Sequence, residues 1–244
     1  AGPQFGTDGS AFALARMLGH SVAEPYPCLV PLRCAGFPVG LKGVRANCAL
    51  SLYLDGRCAG TERGEVQFAE YGLSGIPAMQ LSCLLGPGVK KAGTSVDFFP
   101  EMAFPVLRGM LEQRCASGMF ASLETLLLGL VAKKLGHAIL KSCGLQPLSR
   151  APGSLSRREV NALAGALKNW RFAVEGTLPW TQAQVTGGGV PLAEVKTEGC
   201  ASLRCPGLYL SGEVLDAAGD CGGFNLQWAW ATGIAAGRAA ARGL

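Results

Sequence analysis

The stretch from Gly207 to Gly233 constrains this chain more than any other. Gly207-Leu-Tyr-Leu-Ser-Gly-Glu-Val-Leu-Asp216 reads as a short buried strand, Gly222-Gly223 as a glycine turn, and the residues from about Asn225 onward as a helix. Such a junction aims several backbone N–H groups and the positive end of a helix dipole at one spot. That spot suits a phosphate, a carboxylate or the electron-rich edge of a ring. Glu213 and Asp216 fall at the carboxyl end of the apolar Leu208-Tyr209-Leu210 run, where open α/β sheets bind ligands. Gly222-Gly223 lets a ligand approach the backbone closely. The helix carries Ala229, Ala231, Gly233, Ala235, Ala236, Gly237 and Ala239 with only Arg238 and Arg242 charged, which predicts close packing against a sheet and a second helix. No strand followed by Gly-x-Gly-x-x-Gly occurs upstream, so the chain reads as the end of a nucleotide site without its beginning.

Composition removes several function classes. Hydrophobic residues make up 49% and charged residues 16%, which excludes a disordered chain. The net charge of +5 is scattered, without the basic stripe and interleaved aromatics of a nucleic-acid face. No window approaches the roughly 18 consecutive apolar residues of a membrane span. The ten cysteines include no C-x-x-C, and Cys200-x4-Cys205 lacks a second pair, so no metal site is expected. Most thiols sit in apolar runs and behave as small core hydrophobes, which favours a reduced, cytoplasmic setting.

The pattern along the chain predicts an α+β fold. Thr7-Asp8 precedes helical spacing at Ala11, Leu14, Ala15 and Leu18, with Gly19 as a left-handed stop. Residues 47–54 alternate, with Cys48, Leu50, Leu52 and Leu54 on one face, and end in the hairpin signal Asp55-Gly56. A partner strand from Arg57, a turn at Arg63-Gly64 and a further strand through Glu65–Phe68 predict a small antiparallel barrel or meander. Ser74–Leu85 is expected as a helix stopped by Gly86-Pro87-Gly88, and Thr94–Phe99 as a strand. Phe104–Trp170 has helical period, with the capping box Ser156-Arg-Arg-Glu159 near its end. Phe172 and Val174 return to strand, and Gln182–Gly189 runs as a strand into a glycine turn. Four segments follow from this order: a lead-in helix over 1–21, a β-rich part over 22–100, a helical part over 101–174 and a β/α return over 175–244. The middle two form an insert in a parent domain.

Several of these segments together resemble one family. The run Gly207–Asp216 followed by Gly222-Gly-Phe-Asn-Leu-Gln-Trp-Ala-Trp-Ala-Thr-Gly233 closely resembles the C-terminal signature of bacterial BaiN-like flavoproteins, the predicted NAD(P)/FAD-dependent oxidoreductases also called the aminoacetone oxidase family. Gly6-Thr-Asp-Gly-Ser10, Leu18-Gly-His20, Leu29-Val-Pro-Leu32, Glu65-Val-Gln-Phe68 with Gly72-Leu-Ser-Gly-Ile-Pro77, and Val185-Thr-Gly-Gly-Gly-Val190 match further motifs in order. The resemblance implies an FAD enzyme with a barrel-plus-helix insert and a C-terminal β/α remnant of an FAD-binding dinucleotide fold. Its cofactor contacts would be Gly188, Gly212, Glu213, Asp216 and the turn Gly222, Gly223, Phe224, Asn225, Leu226 and Gln227. Gly212-Glu213 would meet the ribityl or pyrophosphate part, and the turn the pyrimidine edge of the ring. Hydride chemistry would belong to the flavin, with NAD(P)H as candidate donor and a small molecule as substrate. The resemblance names no catalytic residue. The family's Phe-Thr-His reads Phe68-Ala69-Glu70 here, and its N-terminal dinucleotide-binding segment has no counterpart, so that segment is an expected partner of this fragment. By itself the chain is expected to hold FAD weakly or not at all.

Two other readings remain open. One is a non-enzymatic barrel-and-helix binding module. The other is a redox-sensing thiol at Cys221, whose pKa a helix N-terminus would lower, although an incidental small residue is the simpler account. His20 and His137, each in Leu-Gly-His, are expected at helix boundaries in capping or surface roles rather than catalysis.

Overall fold

A computed structural model describes residues 2–243. The polypeptide divides into two compact units, one made of residues 1–31, 82–89 and 177–244, the other of 32–81 and 90–176.

The second unit is built on a closed six-stranded antiparallel barrel. Its strands are β2 (Leu32–Cys34), β3 (Arg45–Leu54), β4 (Arg57–Phe68), β5 (Gly72–Ser74), β6 (Ala92–Asp97) and β7 (Trp170–Thr177), in the order β2-β5-β4-β3-β6-β7. Closure removes free sheet edges. Asp55 and Gly56 join β3 to β4 with φ of 49° and 84°, the left-handed pair that a two-residue hairpin matching strand twist requires. Cys48, Leu50 and Leu52 are buried as the alternation predicts, and β7 sends Trp170, Phe172 and Val174 inward. These meet Phe37, Phe68 and Phe98 in an aromatic cluster whose closest pair, Trp170 and Phe172, has ring centroids 4.7 Å apart. Helices α3 (Phe104–Ala116), α4 (Leu123–Leu126), α5 (Lys133–Ser142) and α6 (Arg157–Lys168) complete the unit, with Leu107, Leu111, Leu163 and Leu167 fully buried. The Ser156 capping box opens α6: its hydroxyl accepts from Glu159 N, and the Glu159 side chain accepts from Ser156 N.

Three local expectations change. Arg63-Gly64 is not a turn, because β4 runs unbroken from Arg57 to Phe68 and pairs Gly64 with Cys48. Gly64 takes φ 148°, which a side chain rarely adopts, and a Cβ there would stand in tight contact, 3.3 Å from Pro77 Cγ. The helix expected over Ser74–Leu85 is shorter, α2 (Ile76–Ser82), because Ser74 ends β5 and Gly75 turns with φ 90°. The helical stretch from Phe104 is four helices separated by loops, and Trp170 already belongs to β7.

The first unit contains α1 (Ser10–Met17), the antiparallel pair β1 (Ala23–Cys28) and β8 (Val185–Gly189), and α7 (Phe224–Arg242). Gly19 closes α1 at φ 89°, as expected. Leu208-Tyr209-Leu210 is not a strand. It makes one isolated bridge, Tyr209 to Ala201, because Gly207 (φ 82°) and Gly212 (φ 68°) turn the chain on either side. Ala15, Val190, Leu210 and Leu215 form the core here, with Trp228, Val22 and Val195 packed against it. α7 buries only Thr232 and Ala236, so the predicted close packing on several of its faces is absent among the described residues.

Candidate functional site

Gly212 is the pivot of the first unit. Its N–H donates to Thr232 Oγ1 at 2.9 Å, the Thr232 hydroxyl donates to Trp228 O at 2.7 Å, and Trp228 Nε1 donates back to Gly212 O at 3.2 Å. Both backbone groups of a left-handed glycine are thereby committed to α7. On the opposite side Val190 N donates to Val214 O and Asp216 N to Val190 O, each at 2.8 Å. Only glycines allow this approach. A Cβ at Gly189 would lie 2.7 Å from Val214 O, and one at Gly188 would lie 2.5 Å from Glu24 O. The sequence therefore folds residues 188–190, 212–216 and the middle of α7 into one rigid block that fixes where Glu213 stands.

Glu213 and Val214 line a cavity of about 550 Å³, together with the glycine-rich loop ahead of α1, Trp180 and Thr186. Within that loop Asp8 Oδ1 accepts from Ser10 N at 2.9 Å, and this bond with the Ser10 side chain holds the Asp8 carboxyl below its usual range. Two carboxylates thus face the cavity, and no Lys or Arg is among its described lining residues. Such a lining attracts a hydroxyl-rich or N–H-bearing group and repels phosphate. Sequence reasoning notes Gly6-Thr-Asp-Gly-Ser10 as a family motif without assigning it a binding role. A signal is nonetheless present, in two glycines and an Asp immediately ahead of a helix.

The turn from Gly222 to Gln227 stands apart from that cavity's lining. Gly223 caps α7 at φ 94° without a side-chain hydrogen bond. The first helical bond is from Gln227 N to Gly223 O, so the amides of Phe224, Asn225 and Leu226 precede the ladder. Asn225 spends its side chain on the loop itself, accepting from Gly219 N at 2.8 Å and donating to Gly219 O at 2.9 Å. Of the ten residues read as cofactor contacts, Glu213 lines the cavity, while Gly188, Gly212 and Asp216 belong to the block behind it. Gly222, Gly223, Phe224, Asn225, Leu226 and Gln227 form a separate helix-end turn.

The histidines divide. His137 is half-buried in the middle of α5 rather than at the helix boundary that its Leu-Gly-His context predicts, with Nε2 3.2 Å from Glu124 O. His20 is not a surface residue: it is 4% exposed, with Nδ1 2.8 Å from Glu194 Oε2 and Nε2 2.7 Å from Ser202 Oγ. A carboxylate only accepts, so Nδ1 carries the proton and the Ser202 hydroxyl donates to Nε2. The line resembles a nucleophilic triad, but Ser202 Oγ also accepts from Arg204 N at 3.0 Å and Cys205 N at 2.8 Å. A nucleophile needs a free approach and adjacent oxyanion donors, so this cluster serves as a lock between the end of α1 and residues 194–205. Burial, followed by the charges of Cys83 and Asp220, pushes the Cys221 thiol up, the opposite direction to the lowering expected of a sensor at a helix N-terminus. No group of His, Cys, Asp and Glu suited to a metal ion occurs among the described residues, and no described helix is long and apolar enough to cross a membrane.

Comparison with known proteins gives a consistent result. The family described as HI0933-like protein Rossmann domain matches residues 1–239. The chain is 37% identical over 99% of its length to a 3-dehydro-bile acid delta(4,6)-reductase of Clostridium scindens, covering 60% of that protein. It is 27% and 28% identical, over 96% and 94% of its length, to ribosomal RNA dihydrouridine synthases of Haemophilus influenzae and Escherichia coli, covering 56% of each. The chain therefore spans somewhat over half the length of these relatives.

Proposed function

Because this chain belongs to the HI0933-like family, we propose that it supplies the substrate-side and flavin-ring part of a flavin-dependent oxidoreductase. The observation that carries this reading is the cavity at Glu213, with its two carboxylates and no basic residue in the described lining. Its volume of about 550 Å³ falls within the ~300–1,000 Å³ range of cofactor sites. Glu213 would accept from ribityl or ribose hydroxyls of FAD, and the loop ahead of α1 would offer backbone N–H groups. The pyrophosphate would lie elsewhere, on additional polypeptide of the kind the longer relatives carry, because Asp8 and Glu213 oppose it. The first-turn amides of α7 would favour negative charge on the pyrimidine edge of a ring. When bound, the flavin would supply hydride transfer. Both names carried by the three relatives describe addition of hydrogen to a substrate, and NAD(P)H is the candidate donor. The barrel unit is the inserted domain in this reading, facing a small-molecule substrate, and the free thiols suit the cytoplasm.

Flavin fluorescence tests the reading. FAD titrated into the chain alone is expected to quench weakly, and strongly once the N-terminal dinucleotide-binding segment is restored. Glu213→Gln in the restored protein is expected to weaken FAD binding by about tenfold or more, as loss of a charged hydrogen bond does. A restored protein that stays colourless and binds no flavin ends the proposal.

A further inference from the structure

Apart from the cavity, the first unit brings two thiols together. Cys28, the last residue of β1, is fully buried, and Cys83, just after α2, is half-buried. Three hydrogen bonds clamp the two segments that carry them. Leu29 N donates to Cys83 Sγ at 3.4 Å, Tyr26 Oη to Cys83 O at 3.0 Å, and Val30 N to Ser82 Oγ at 3.1 Å. Gly187 of β8 opens the space: a Cβ there would stand 2.5 Å from Cys28 Sγ and 2.5 Å from the Tyr26 ring. Leu29 N, the amide next to Cys28, rests on Cys83 Sγ, so the two thiols are neighbours, and an approach to the ~2.05 Å of a disulfide would join them.

We propose that Cys83 and Cys28 are a peroxide-reactive thiol pair, with Cys83 attacking a small hydroperoxide and Cys28 closing an intramolecular disulfide. The division of labour follows from the surroundings. Cys83 is half-buried and within reach of a small oxidant, whereas Cys28 is fully buried and can act only second; the Leu29 N–H on Cys83 Sγ also favours the Cys83 thiolate. The thiolate is the nucleophile, and a half-buried sulfur admits a small neutral oxidant more readily than a bulky disulfide. In the first step a bond forms between Cys83 sulfur and the terminal peroxide oxygen, the O–O bond breaks, and the departing oxygen leaves as water or an alcohol after taking a proton. In the second, the Cys28 sulfur displaces the hydroxyl of the Cys83 sulfenic acid, and the Cys28 proton leaves with it as water. Together two thiols lose two electrons and two protons to one hydroperoxide. This inference does not depend on flavin binding.

The test uses the whole chain, reduced, desalted and treated with one equivalent of hydrogen peroxide. Mass spectrometry is expected to find the loss of two hydrogen atoms, and digestion without reductant a peptide pair joined through Cys28 and Cys83, both reversed by dithiothreitol. Cys28→Ser is expected to leave a sulfenic acid on Cys83 that dimedone traps, and Cys83→Ser to abolish the fast reaction. Oxidised glutathione is expected to act more slowly than peroxide. Cross-linking of Cys83 to Cys221 instead, oxidation confined to the exposed Cys58, or faster mixed-disulfide formation with glutathione would each overturn the proposal. The peptide map of the unmodified chain decides the matter even where Cys28→Ser fails to fold.

Discussion

At Glu194 four donors converge on one carboxylate. They are the Ser21 hydroxyl, Ser21 N at 3.1 Å, His20 Nδ1 at 2.8 Å and Arg204 Nη2 at 3.3 Å. The Ser21 hydroxyl leads in lowering the carboxyl from 4.5 to about 2. In the other unit Arg150, with Ser156, brings Glu159 from 4.5 to about 2 as well. A folded-state pKa below the unfolded one means that the ionised form favours folding. That stabilisation is complete above pH 4.5 and is lost as pH falls through about 2. Melting temperature followed from neutral pH downward is therefore expected to decline through this window. Glu194→Gln should lower the melting temperature at neutral pH and flatten the decline partially, leaving the Glu159 share. An unchanged slope in Glu194→Gln would mean that these four contacts do not discriminate between the charged and neutral acid. Nothing in the sequence near His20 announces this cluster, because the partners of His20, Glu194 and Ser202, are 174 and 182 positions away.

Among the strands, β5 shows how tightly the barrel is drawn. A Cβ on Gly72, at φ 141°, would stand 2.5 Å from Leu32 O and 2.8 Å from Cys34 N, both backbone atoms of β2. Gly72→Ala must push these paired strands apart and is expected to cost about 1–3 kcal/mol. Gly109 in α3 has nothing within 4 Å of such a Cβ, so Gly109→Ala is expected to stabilise by about 0.5–1 kcal/mol. Urea midpoints of the two variants should move in opposite directions; a shift of the same sign in both would contradict the packing argument. The contrast also indicates what the sequence can disclose. The Cys48–Leu52 alternation, the Asp55-Gly56 hairpin and the Ser156–Glu159 box are legible because each is decided by neighbours a few residues apart. Gly64 reads as a turn in the sequence, whereas in the fold it lies inside β4 beside Pro77, which belongs to another element. Leu208–Leu210 has the residues of a strand but only one bridge to pair with. The cavity is only partly legible: Glu213 stands out through its glycine motif, whereas the loop ahead of α1 meets it only in three dimensions.

At the scale of the molecule, α1 and α7 each carry a run of exposed apolar side chains. Leu226, Trp230 and Ile234 of α7 are 70%, 69% and 51% exposed, and their spacing of four aligns them in one stripe along the helix. Leu14, Met17 and Leu18 repeat the pattern on α1. Contiguous exposed apolar surface on this scale marks an interaction site, and the relatives that match this chain are longer than it is, with 56–60% of their length covered. If additional polypeptide of that kind rests on α7, the stripe is a binding surface and contributes little to the stability of the chain by itself. Replacing Leu226, Trp230 and Ile234 with Ser should then sharply reduce binding of a hydrophobic dye, while each substitution changes unfolding free energy by no more than about 0.5 kcal/mol. Trp228 lies on the opposite side of the same helix turn and bonds Gly212, so Trp228→Ser should instead destabilise clearly. If such polypeptide does cover the stripe, supplying it to the unmodified chain should suppress the dye signal as completely as the triple substitution does. Dye binding that persists in the triple variant would locate the sticky surface elsewhere and leave α7 without a partner to explain its composition.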